Sequence, residues 1–526
     1  MNRKVLFAAL LIMLGGCQKA AAPHVSHAAD AGAPPGIAWF EGSLDEAFAA
    51  ARQDHRPVLI FWGAKWCPFC RTLKATVFPR PDFIAKSKLF VPIYLDGDDP
   101  GAQRWGERFQ IQGYPTLIIM DPDRRELMRL GAGREVSQYA AALDVALEDV
   151  QPVDTLLQKA AGGKALTSQE CRRLAFNSWE LDTIEASTYA TRAAALGAAA
   201  GDCPADASLE RAELRIYAAY YAANAEDGTP GQPQPRPSLA LAALQDQVGQ
   251  VLSQHDLALA SAGALAILDD SFFKSVRARG GALPDQMRTA YGATMLDAAD
   301  DPSYAVADQL GFIDAQLRAL KDLDAPKAPL PAAAVALAHR RVDSALATEQ
   351  NPFVRSGLVN ASLDILEDAG DLPAAYAVAQ AEIPRAATPY YYKADLAEIA
   401  EKMGRKDEAV TLLDQAYHES QGAATRFQWG QLYVSALLRM TPADSGRIEH
   451  AGEAVIGELE GPDRIYRRAR VRLEKLDREL RTWNDSVNGA HADVLQALHG
   501  RMLQICSKIR DTDASRSSCE SFLKSV

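Results

Sequence analysis

An apolar run that leads into two closely spaced cysteines limits most strongly what this chain can fold into. Residues 57–62 (PVLIFW) have the length and apolar character of a β-strand that is buried on both faces. A three-residue turn, GAK, separates this run from the motif WCPFC at residues 66–70, and helix-forming residues continue to Thr76. A proline suits the first turn of a helix, because the helix needs no N–H from that position. The pattern therefore predicts a buried strand, a tight turn and a helix that begins at the cysteines.

The motif at residues 66–70 favours thiol chemistry. It consists of Trp66, Cys67, Pro68, Phe69 and Cys70. Cys67 is expected at the amino end of the helix, where unpaired N–H groups and the helix dipole stabilise a thiolate. Two intervening residues allow the thiol of Cys70 to reach back and resolve a mixed disulfide formed at Cys67. We therefore predict Cys67 and Cys70 as catalytic residues, with Trp66, Pro68 and Phe69 in support.

A structural zinc site is the competing interpretation of two cysteines at this spacing. Such a site needs four ligands. The sequence has no second CxxC motif and no pair of histidines at ligand spacing nearby, and its nine histidines are scattered. The pattern favours redox chemistry over metal binding. We expect no metal site and no cofactor.

Strand-like and helix-like segments alternate from residue 38 to about residue 150. Ser43 and Glu46 form a capping box, which predicts that a helix occupies residues 43–53. The predicted strands are 57–62, 89–95, 116–120 and 126–130, and the later helices are one that ends at 76, then 102–109 and 134–147. This order, βαβαββα after the first helix, predicts a layered α/β fold.

The strand order, the WCPFC motif and the later segment GYPT at residues 113–116 resemble the thioredoxin family. The resemblance covers about residues 38–150, which is under a quarter of the chain. It implies that the peptide bond before Pro115 is cis and that this proline lies against the dithiol. It also implies that Tyr114 and Thr116 offer backbone groups to an extended peptide.

Two departures from the thioredoxin pattern affect the expected chemistry. Many thioredoxins have a buried aspartate six residues before the first cysteine, whereas this chain has Phe61, and residues 90–94 lack the lysine that often lies behind the active site. Proton transfer must then use water or another group, such as Glu107 or Asp96. The pair between the cysteines is Pro-Phe instead of Gly-Pro, and because this pair tunes the reduction potential, the direction of electron flow stays open.

The rest of the chain, residues 151–526, has helical spacing of apolar residues and little strand-like alternation. Loops rich in proline and glycine interrupt it near 227–238 and 324–332. Gly370 and Gly404 lie 34 residues apart, as do Ala375 and Ala409, and 34 residues is the period of tetratricopeptide helix pairs. The expected fold class is therefore an α/β thioredoxin-like domain followed by a large all-α, tetratricopeptide-like region. An irregular helical bundle is the alternative.

Two segments of the helical region suggest surfaces. A helical solenoid binds extended partners on its concave face, and the three tyrosines at 390–392 are candidates for such a surface, although at least one of them is expected in the core. Residues 464–481 form a charged amphipathic helix, whose cations we expect on a solvated face.

The amino terminus is typical of a bacterial lipoprotein. Two cations precede an apolar run at 5–14, which is shorter than the roughly 20 residues that span a membrane. LGGC at 14–17 resembles a lipobox, which implies cleavage after residue 16, lipid on Cys17 and a membrane anchor without a spanning helix. Residues 17–37 are then a flexible tether, and Gln18 favours the outer membrane, on the periplasmic side. An ordinary signal peptide with an incidental cysteine is the alternative.

Four further cysteines fit an oxidising compartment. Sequence proximity favours structural disulfides between Cys171 and Cys203 and between Cys506 and Cys519, with free buried thiols as the alternative. Cys17, the dithiol and these four account for all seven cysteines.

Two functions of different classes fit these patterns. The first is a lipid-anchored thiol:disulfide oxidoreductase whose partners are protein disulfides and a separate thiol/disulfide redox partner. The second is a non-enzymatic scaffold or chaperone that uses the thioredoxin-like domain for docking. The net charge of −12 argues against nucleic acid as a partner, because phosphate binding needs a basic surface.

Overall fold

The computed structural model describes residues 36–111, 113–132, 134–148, 151–181, 188–226, 238–321, 328–461, 465–509 and 514–524. The leader peptide, Cys17 and nearly all of the predicted tether lie outside the described residues, as do 227–237 and 324–327 of the two predicted loops. Ile37, which the sequence analysis placed at the end of the tether, is instead buried, because its side chain joins the apolar core.

The amino-terminal domain is built around a four-stranded mixed sheet. Its elements are α1 (Leu44–Asp54), β1 (Val58–Gly63), α2 (Pro68–Thr76), α3 (Pro81–Ser87), β2 (Val91–Asp96), α4 (Pro100–Arg108), β3 (Thr116–Met120), β4 (Glu126–Leu130) and α5 (Val136–Leu147). The strand order is β2-β1-β3-β4, with β1 parallel to β2 and the β1–β3 and β3–β4 pairs antiparallel. The predicted layered α/β fold is confirmed. The sequence analysis missed the short helix α3, because seven residues are too few to show helical periodicity.

Local signals explain where these elements begin. The side chain of Ser43 accepts a hydrogen bond from the N–H of Glu46 at 3.2 Å, and Oε2 of Glu46 accepts one from the N–H of Ser43 at 2.7 Å. This is the capping box that the sequence predicted at the start of α1. All six residues of β1 are buried, as expected for a strand with neighbours on both sides and layers on both faces.

The rest of the described chain is helical. Its helices are α6 (Val153–Ala161), α7 (Ser168–Phe176), α8 (Tyr189–Asp202), α9 (Ser208–Glu226), α10 (Leu239–Leu252), α11 (His255–Ala260), α12 (Ala262–Leu265), α13 (Asp270–Ala278), α14 (Leu283–Ala299), α15 (Val306–Leu320), α16 (Ala332–Thr348), α17 (Pro352–Asp368), α18 (Leu372–Glu382), α19 (Pro389–Lys402), α20 (Lys406–Glu419), α21 (Ala423–Met440), α22 (Ser445–Gly457), α23 (Arg467–Asp485), α24 (Ala492–Cys506) and α25 (Ala514–Ser521). A large all-helical region therefore follows the thioredoxin-like domain, as predicted. None of the helices in the described ranges combines the length and apolar character that crossing a membrane requires.

The two glycines spaced by 34 residues occupy the same place in two helical hairpins. Gly370 joins α17 to α18 with φ of 81°, and Gly404 joins α19 to α20 with φ of 79°. The residue after each glycine donates its N–H to the carbonyl five positions back, at 2.9 Å in the first turn and 2.8 Å in the second. Glycine is favoured at both turns because other residues are strained at positive φ. The spacing in the sequence thus corresponds to two matched hairpins, whereas membership of the tetratricopeptide class stays a prediction.

The helical region covers the outer edge of the sheet. Strand β4 would otherwise present unpaired backbone groups, which invite association with other chains. The N–H of Arg129 instead donates to Oδ1 of Asn177 at 2.9 Å, and the carbonyl of Arg129 accepts the N–H of Ser178 at 2.9 Å. The side chain of Ser178 accepts the N–H of Gly131 at 3.0 Å. The segment after α7 therefore closes the β4 edge and ties the two regions together.

A carboxyl group at the junction of the two regions makes the stability of the fold depend on pH. Asp308 of α15 and Tyr139 of α5 line one small cavity, and burial raises the pKa of Asp308 from 3.8 to about 7. The raised pKa means that the protonated carboxyl stabilises the fold and that this stabilisation is lost as pH rises from about 4 to about 7. The unfolding free energy of the wild type should therefore fall between pH 5 and pH 7, and in Asp308→Asn this fall should be smaller by about 1–2 kcal/mol. The difference is not larger because the side chain of Asp308 is only partly buried. Urea unfolding at both pH values measures this.

The matched control for this prediction is Asp256→Asn at the exposed start of α11. That variant should keep the pH dependence of the wild type. An Asp308→Asn protein with the full wild-type dependence would show that Asp308 is not the responsible group.

Candidate active site

The two cysteines of the WCPFC motif meet at the amino end of α2. Cys67 is the N-cap residue of this helix, and Pro68 occupies its first turn. The N–H of Cys70 donates to Sγ of Cys67 at 3.0 Å, and the two residues form a disulfide bond. Once the bond is reduced, the same N–H and the dipole of α2 would stabilise a thiolate on Cys67.

The loop before β3 lies beside the WCPFC motif, since the ring centroids of Tyr114 and Trp66 are 5.6 Å apart. The peptide bond between Tyr114 and Pro115 is cis. Thr116 pairs with Trp62 at the carboxyl end of β1, four residues before the motif begins. Its hydroxyl donates to the carbonyl of Gly113 at 3.0 Å. The antiparallel pairing of β1 with β3 is therefore what brings the proline loop to the end of the strand that carries the cysteines.

Trp66 lies between the two regions of the chain. Its indole N–H donates to Oδ2 of Asp98 at 2.9 Å and to Oγ1 of Thr425, on α21, at 3.1 Å. Its ring stacks on that of Tyr391, with centroids 6.1 Å apart and planes at 24°, and meets the edge of Trp429 at 6.3 Å. The sequence predicts Trp66 as a residue that supports the cysteines, but nothing in it indicates these partners from the helical region.

Asp98 is a half-buried carboxyl next to the motif. It accepts hydrogen bonds from the hydroxyl of Thr425 and the indole of Trp66. Burial raises the pKa of Asp98, while the hydrogen bond from Thr425, the charge of Arg468 and the hydrogen bond from Trp66 act in the opposite direction. Asp98 therefore joins a loop of the sheet domain to the helical region by hydrogen bonding.

Arg468 of α23 covers the other side of the site. Its guanidinium lies 4.8 Å from the ring centroid of Tyr114 and 5.7 Å from that of Trp66, and it donates to the hydroxyl of Tyr114 and to the side chain of Gln428. Burial raises the pKa of the Tyr114 hydroxyl, and the charge of Arg468 opposes this rise. Tyr114, which the thioredoxin resemblance places beside a bound substrate, is thus engaged by the chain's own helix.

The prediction that the cations of the charged helix at 464–481 lie on a solvated face is wrong for the arginines nearest the site. In addition to Arg468, Arg470 of α23 forms an ion pair of 2.6 Å with Glu107 of α4. Burial lowers the pKa of Arg472 to about 10. Arg468 and Arg470 face the thioredoxin-like domain because its acidic and aromatic side chains supply their partners. Arg472 instead donates to Gln431 of α21 at 3.4 Å. Arg464 lies outside the described residues.

The groups considered for proton transfer occupy different surroundings. Glu107 is held by Arg470, as above. Asp96 is the last residue of β2, lies 3.9 Å from Nζ of Lys65, and has its pKa raised by burial. The sequence analysis missed Lys74, which lies one helical turn after Cys70 with its ammonium 4.7 Å from the Tyr94 ring centroid. Burial lowers the pKa of Lys74 to about 8, and only its spacing of four residues from Cys70 could have drawn attention to it.

The remaining cysteines lie away from this site. Cys171 of α7 is bonded to Cys203 at the end of α8, and Cys506 of α24 is bonded to Cys519 of α25. All four side chains are buried. Within the described ranges, no three His, Cys, Asp or Glu side chains come together in a way that could hold a metal ion.

The sheet order, the cysteines at the start of α2 and the cis proline loop define a thioredoxin-like domain. Residues 44–146 match the sequence profile of a family described as thioredoxin-like domain. The matched part is about a fifth of the chain, so the family describes this domain and not the helical region.

Curated relatives of this domain carry names from thiol chemistry. The chain is 33% identical over 85 residues to Thiol:disulfide interchange protein DsbD 2 of Pseudomonas aeruginosa, which is 16% of this chain and 14% of the relative. It is 30% identical over 81 residues to Thiol:disulfide interchange protein DsbD 1 of the same organism, which is 15% of this chain and 14% of the relative. The similarity therefore spans a small part of each relative.

A solved structure named DsbH Oxidoreductase is also similar. It covers 26% of this chain and 95% of that chain, with 18% sequence identity and a TM-score of 0.20.

Proposed function

We propose that this chain is a thiol:disulfide oxidoreductase that acts on protein disulfides through Cys67 and Cys70. The observation that carries the proposal is the bonded cysteine pair at the amino end of α2, next to a cis proline, in a thioredoxin-like domain. A helix amino terminus favours the thiolate that exchange requires. Tyr114, Pro115 and Thr116 would bind the backbone of an extended substrate, and Trp66, Pro68 and Phe69 would shape the surroundings of the sulfur.

The proposed reaction proceeds through one mixed disulfide. In the reducing direction, the thiolate of Cys67 attacks a substrate disulfide, and one substrate sulfur leaves as a thiolate. The thiolate of Cys70 then attacks Sγ of Cys67, which releases the second substrate sulfur and forms the Cys67–Cys70 bond. Two electrons and two protons pass to the substrate, so a separate dithiol partner must reduce the enzyme again. The oxidising direction runs through the same steps in reverse.

The helical region would select or present substrates. The matched hairpins at Gly370 and Gly404 support a tetratricopeptide-like array, which is a class of scaffold that binds extended partners. We place the protein on the periplasmic side of a bacterial envelope membrane. Its anchor would be lipid on Cys17, with 1–16 as the leader and the outer membrane as the destination, on the basis of the LGGC motif and the glutamine that follows it. We propose no nucleic-acid partner and no cofactor.

The test is turnover of protein disulfides by the full chain in detergent. Reduction of insulin and refolding of a scrambled disulfide protein should both be compared with the Cys67→Ser variant, which should show background rates. The reduction potential of the dithiol decides the direction: a value near about −270 mV indicates a reductant and one near about −120 mV an oxidant. Turnover by Cys67→Ser at the wild-type rate would refute the role of this cysteine.

A second candidate function is the non-enzymatic scaffold, in which the thioredoxin-like domain only docks. One observation favours it: the side chains of Cys67 and Cys70 are 2% and 0% exposed. A chain in which both cysteines are replaced by alanine should then fully complement a deletion strain. If this double variant fails to complement, whereas the folded wild type succeeds, the enzymatic function is supported.

A further inference from the structure

The helical region covers the face of the domain through which the cysteines would meet a substrate. Trp66 is 8% exposed, and both cysteines are less exposed still. Thiol–disulfide exchange needs an incoming thiolate to reach a sulfur atom. The segments that lie over this face belong to α17, α19, α21 and α23. The inference below rests on the proposed function, because it concerns access to the same dithiol.

Helix α17 packs directly on the helix that carries the cysteines. The hydroxyl of Ser356 donates to the carbonyl of Phe353 in its own helix at 2.8 Å and lies 3.4 Å from the carbonyl oxygen of Pro68. At Gly357 the two helices come so close that an added Cβ would overlap Oγ1 of Thr72. A glycine is therefore needed at this point of α17 for the close approach, and not for its backbone conformation.

The other three helices hold the rim of the same face. On one side, a guanidinium nitrogen of Arg71, just after the motif, donates to Oγ1 of Thr388 at the start of α19 at 3.2 Å. Across the site, Thr425 of α21 binds the indole of Trp66, and Arg468 of α23 binds the hydroxyl of Tyr114. Since Tyr114 and Pro115 form the loop that would receive an extended peptide, Arg468 occupies the place of a substrate.

A cleft between the two regions reaches only the flank of the motif. It has a volume of about 1080 Å³, and residues from both regions line it, among them Lys65, Trp66, Arg71, Thr388 and Tyr390. Neither cysteine is among its described lining residues. A thiol that enters this cleft therefore meets the edge of Trp66 and not the sulfur of Cys67.

We propose that α17, α19, α21 and α23 form a cover over the dithiol, and that exchange at Cys67 requires this cover to move away. A protein substrate and the cover then compete for one face of the thioredoxin-like domain. Opening breaks no covalent bond. After opening, a dithiol reductant passes two electrons and two protons to the Cys67–Cys70 bond and becomes a disulfide itself.

The experiment measures how fast dithiothreitol reduces the Cys67–Cys70 bond in the folded full chain. Samples are quenched in acid and alkylated, and the modified peptides are quantified by mass spectrometry. In Gly357→Ala the new methyl group collides with Thr72 and should loosen the cover, so reduction should be about tenfold faster than in the wild type. Gly311→Ala is the matched control, because an added Cβ at this exposed position of α15 meets open space. The Cys171–Cys203 and Cys506–Cys519 bonds should keep their wild-type rates in both variants.

A second variant acts at the opposite rim. Arg468→Ala removes the group that binds Tyr114 and should also speed the reduction of the dithiol. A nearby cation attracts the attacking thiolate of the reductant. If Arg468 acted only through its charge, removing it would therefore slow the reduction. Faster reduction in Arg468→Ala would therefore show that the cover has moved away from the dithiol.

The outcomes separate the cover from the proposed function. Faster reduction in either folded variant, with an unchanged Gly311→Ala control, supports the cover. Wild-type reduction rates in both folded variants overturn it. If dithiothreitol reduces the dithiol of a variant rapidly but that variant still cannot turn over protein disulfides, the proposed cover is supported. The oxidoreductase function is then refuted.

Discussion

Replacing Cys70 by alanine is expected to leave the chain joined covalently to its protein substrates, while turnover falls about a hundredfold or more. The nucleophile, Cys67, is intact in this variant and still attacks a substrate disulfide. The resolving thiol is missing, so the mixed disulfide persists until an external thiol cleaves it. Cys70 is fully buried, and alanine removes only its sulfur atom, so we expect the fold to be retained.

Diagonal electrophoresis and mass spectrometry of the reduced variant, mixed with disulfide-bonded substrate, would detect the adducts. The matched control is Cys67→Ala, which should lose turnover to the same extent but form no adduct. Adducts in Cys67→Ala and none in Cys70→Ala would reverse the two roles. Wild-type turnover in Cys70→Ala would show that no internal resolution takes place.

Local patterns in the sequence predict the strand, the turn and the helix that begins at the cysteines, and the structure has all three. An apolar run, a proline after the first cysteine and a second cysteine three positions later all act within one strand–helix unit. The cis peptide bond before Pro115 is what the thioredoxin resemblance implies, and the structure has it. The pairing of β1 with β3 joins residues as distant as Trp62 and Thr116, so periodicity and turn chemistry did not predict it.

The cover over the site was not predictable in the same way. Trp66 and Thr425 are 359 positions apart, and no periodic pattern connects them. The three tyrosines at 390–392 were identified as a possible surface or core, and the structure shows that Tyr390 and Tyr392 are buried and that Tyr391 stacks on Trp66. A hydrophobic pattern shows that a helix face will be covered, but not which part of the chain covers it.

The same limit explains the error about the arginines of α23. A helix with many cations is usually solvated, because burying a charge is costly without a partner. Here the partners, Glu107 and the aromatic side chains of Tyr114 and Trp66, come from a domain more than 350 residues earlier in the chain. The sequence contained both halves of this interface, but only the folded arrangement shows that they meet.

Removing the disulfide between Cys171 and Cys203 is expected to destabilise the fold strongly. The two residues are 32 positions apart, and closing a loop of that length in the unfolded chain corresponds to about 4 kcal/mol of stabilisation. The expected change in the Cys171→Ala/Cys203→Ala double variant is a loss of that order. The double variant avoids leaving one reactive thiol in the core.

The position of this disulfide predicts which part of the fold loses stability. Cys171 lies on α7, and the segment directly after α7 supplies the groups of Asn177 and Ser178 that close the edge of β4. When the α7–α8 connection is loosened, the amides of Arg129 and Gly131 should exchange hydrogen faster, since their acceptors lie on that segment. Removing this disulfide should thus increase amide exchange in the thioredoxin-like domain, although the disulfide lies outside that domain.

Urea unfolding and amide hydrogen exchange measure both effects. The matched control is Cys506→Ala/Cys519→Ala, in which the loop has a sequence separation of 13 and the expected loss is smaller, about 3 kcal/mol. Among the described residues, the acceptors of the Arg129 and Gly131 amides lie on the segment after α7 and not on α24 or α25, so this control should leave their exchange unchanged. Equal exchange at β4 in both double variants would mean that α7 does not transmit the loss to the sheet edge, because only the Cys171–Cys203 bond lies next to the segment that covers it.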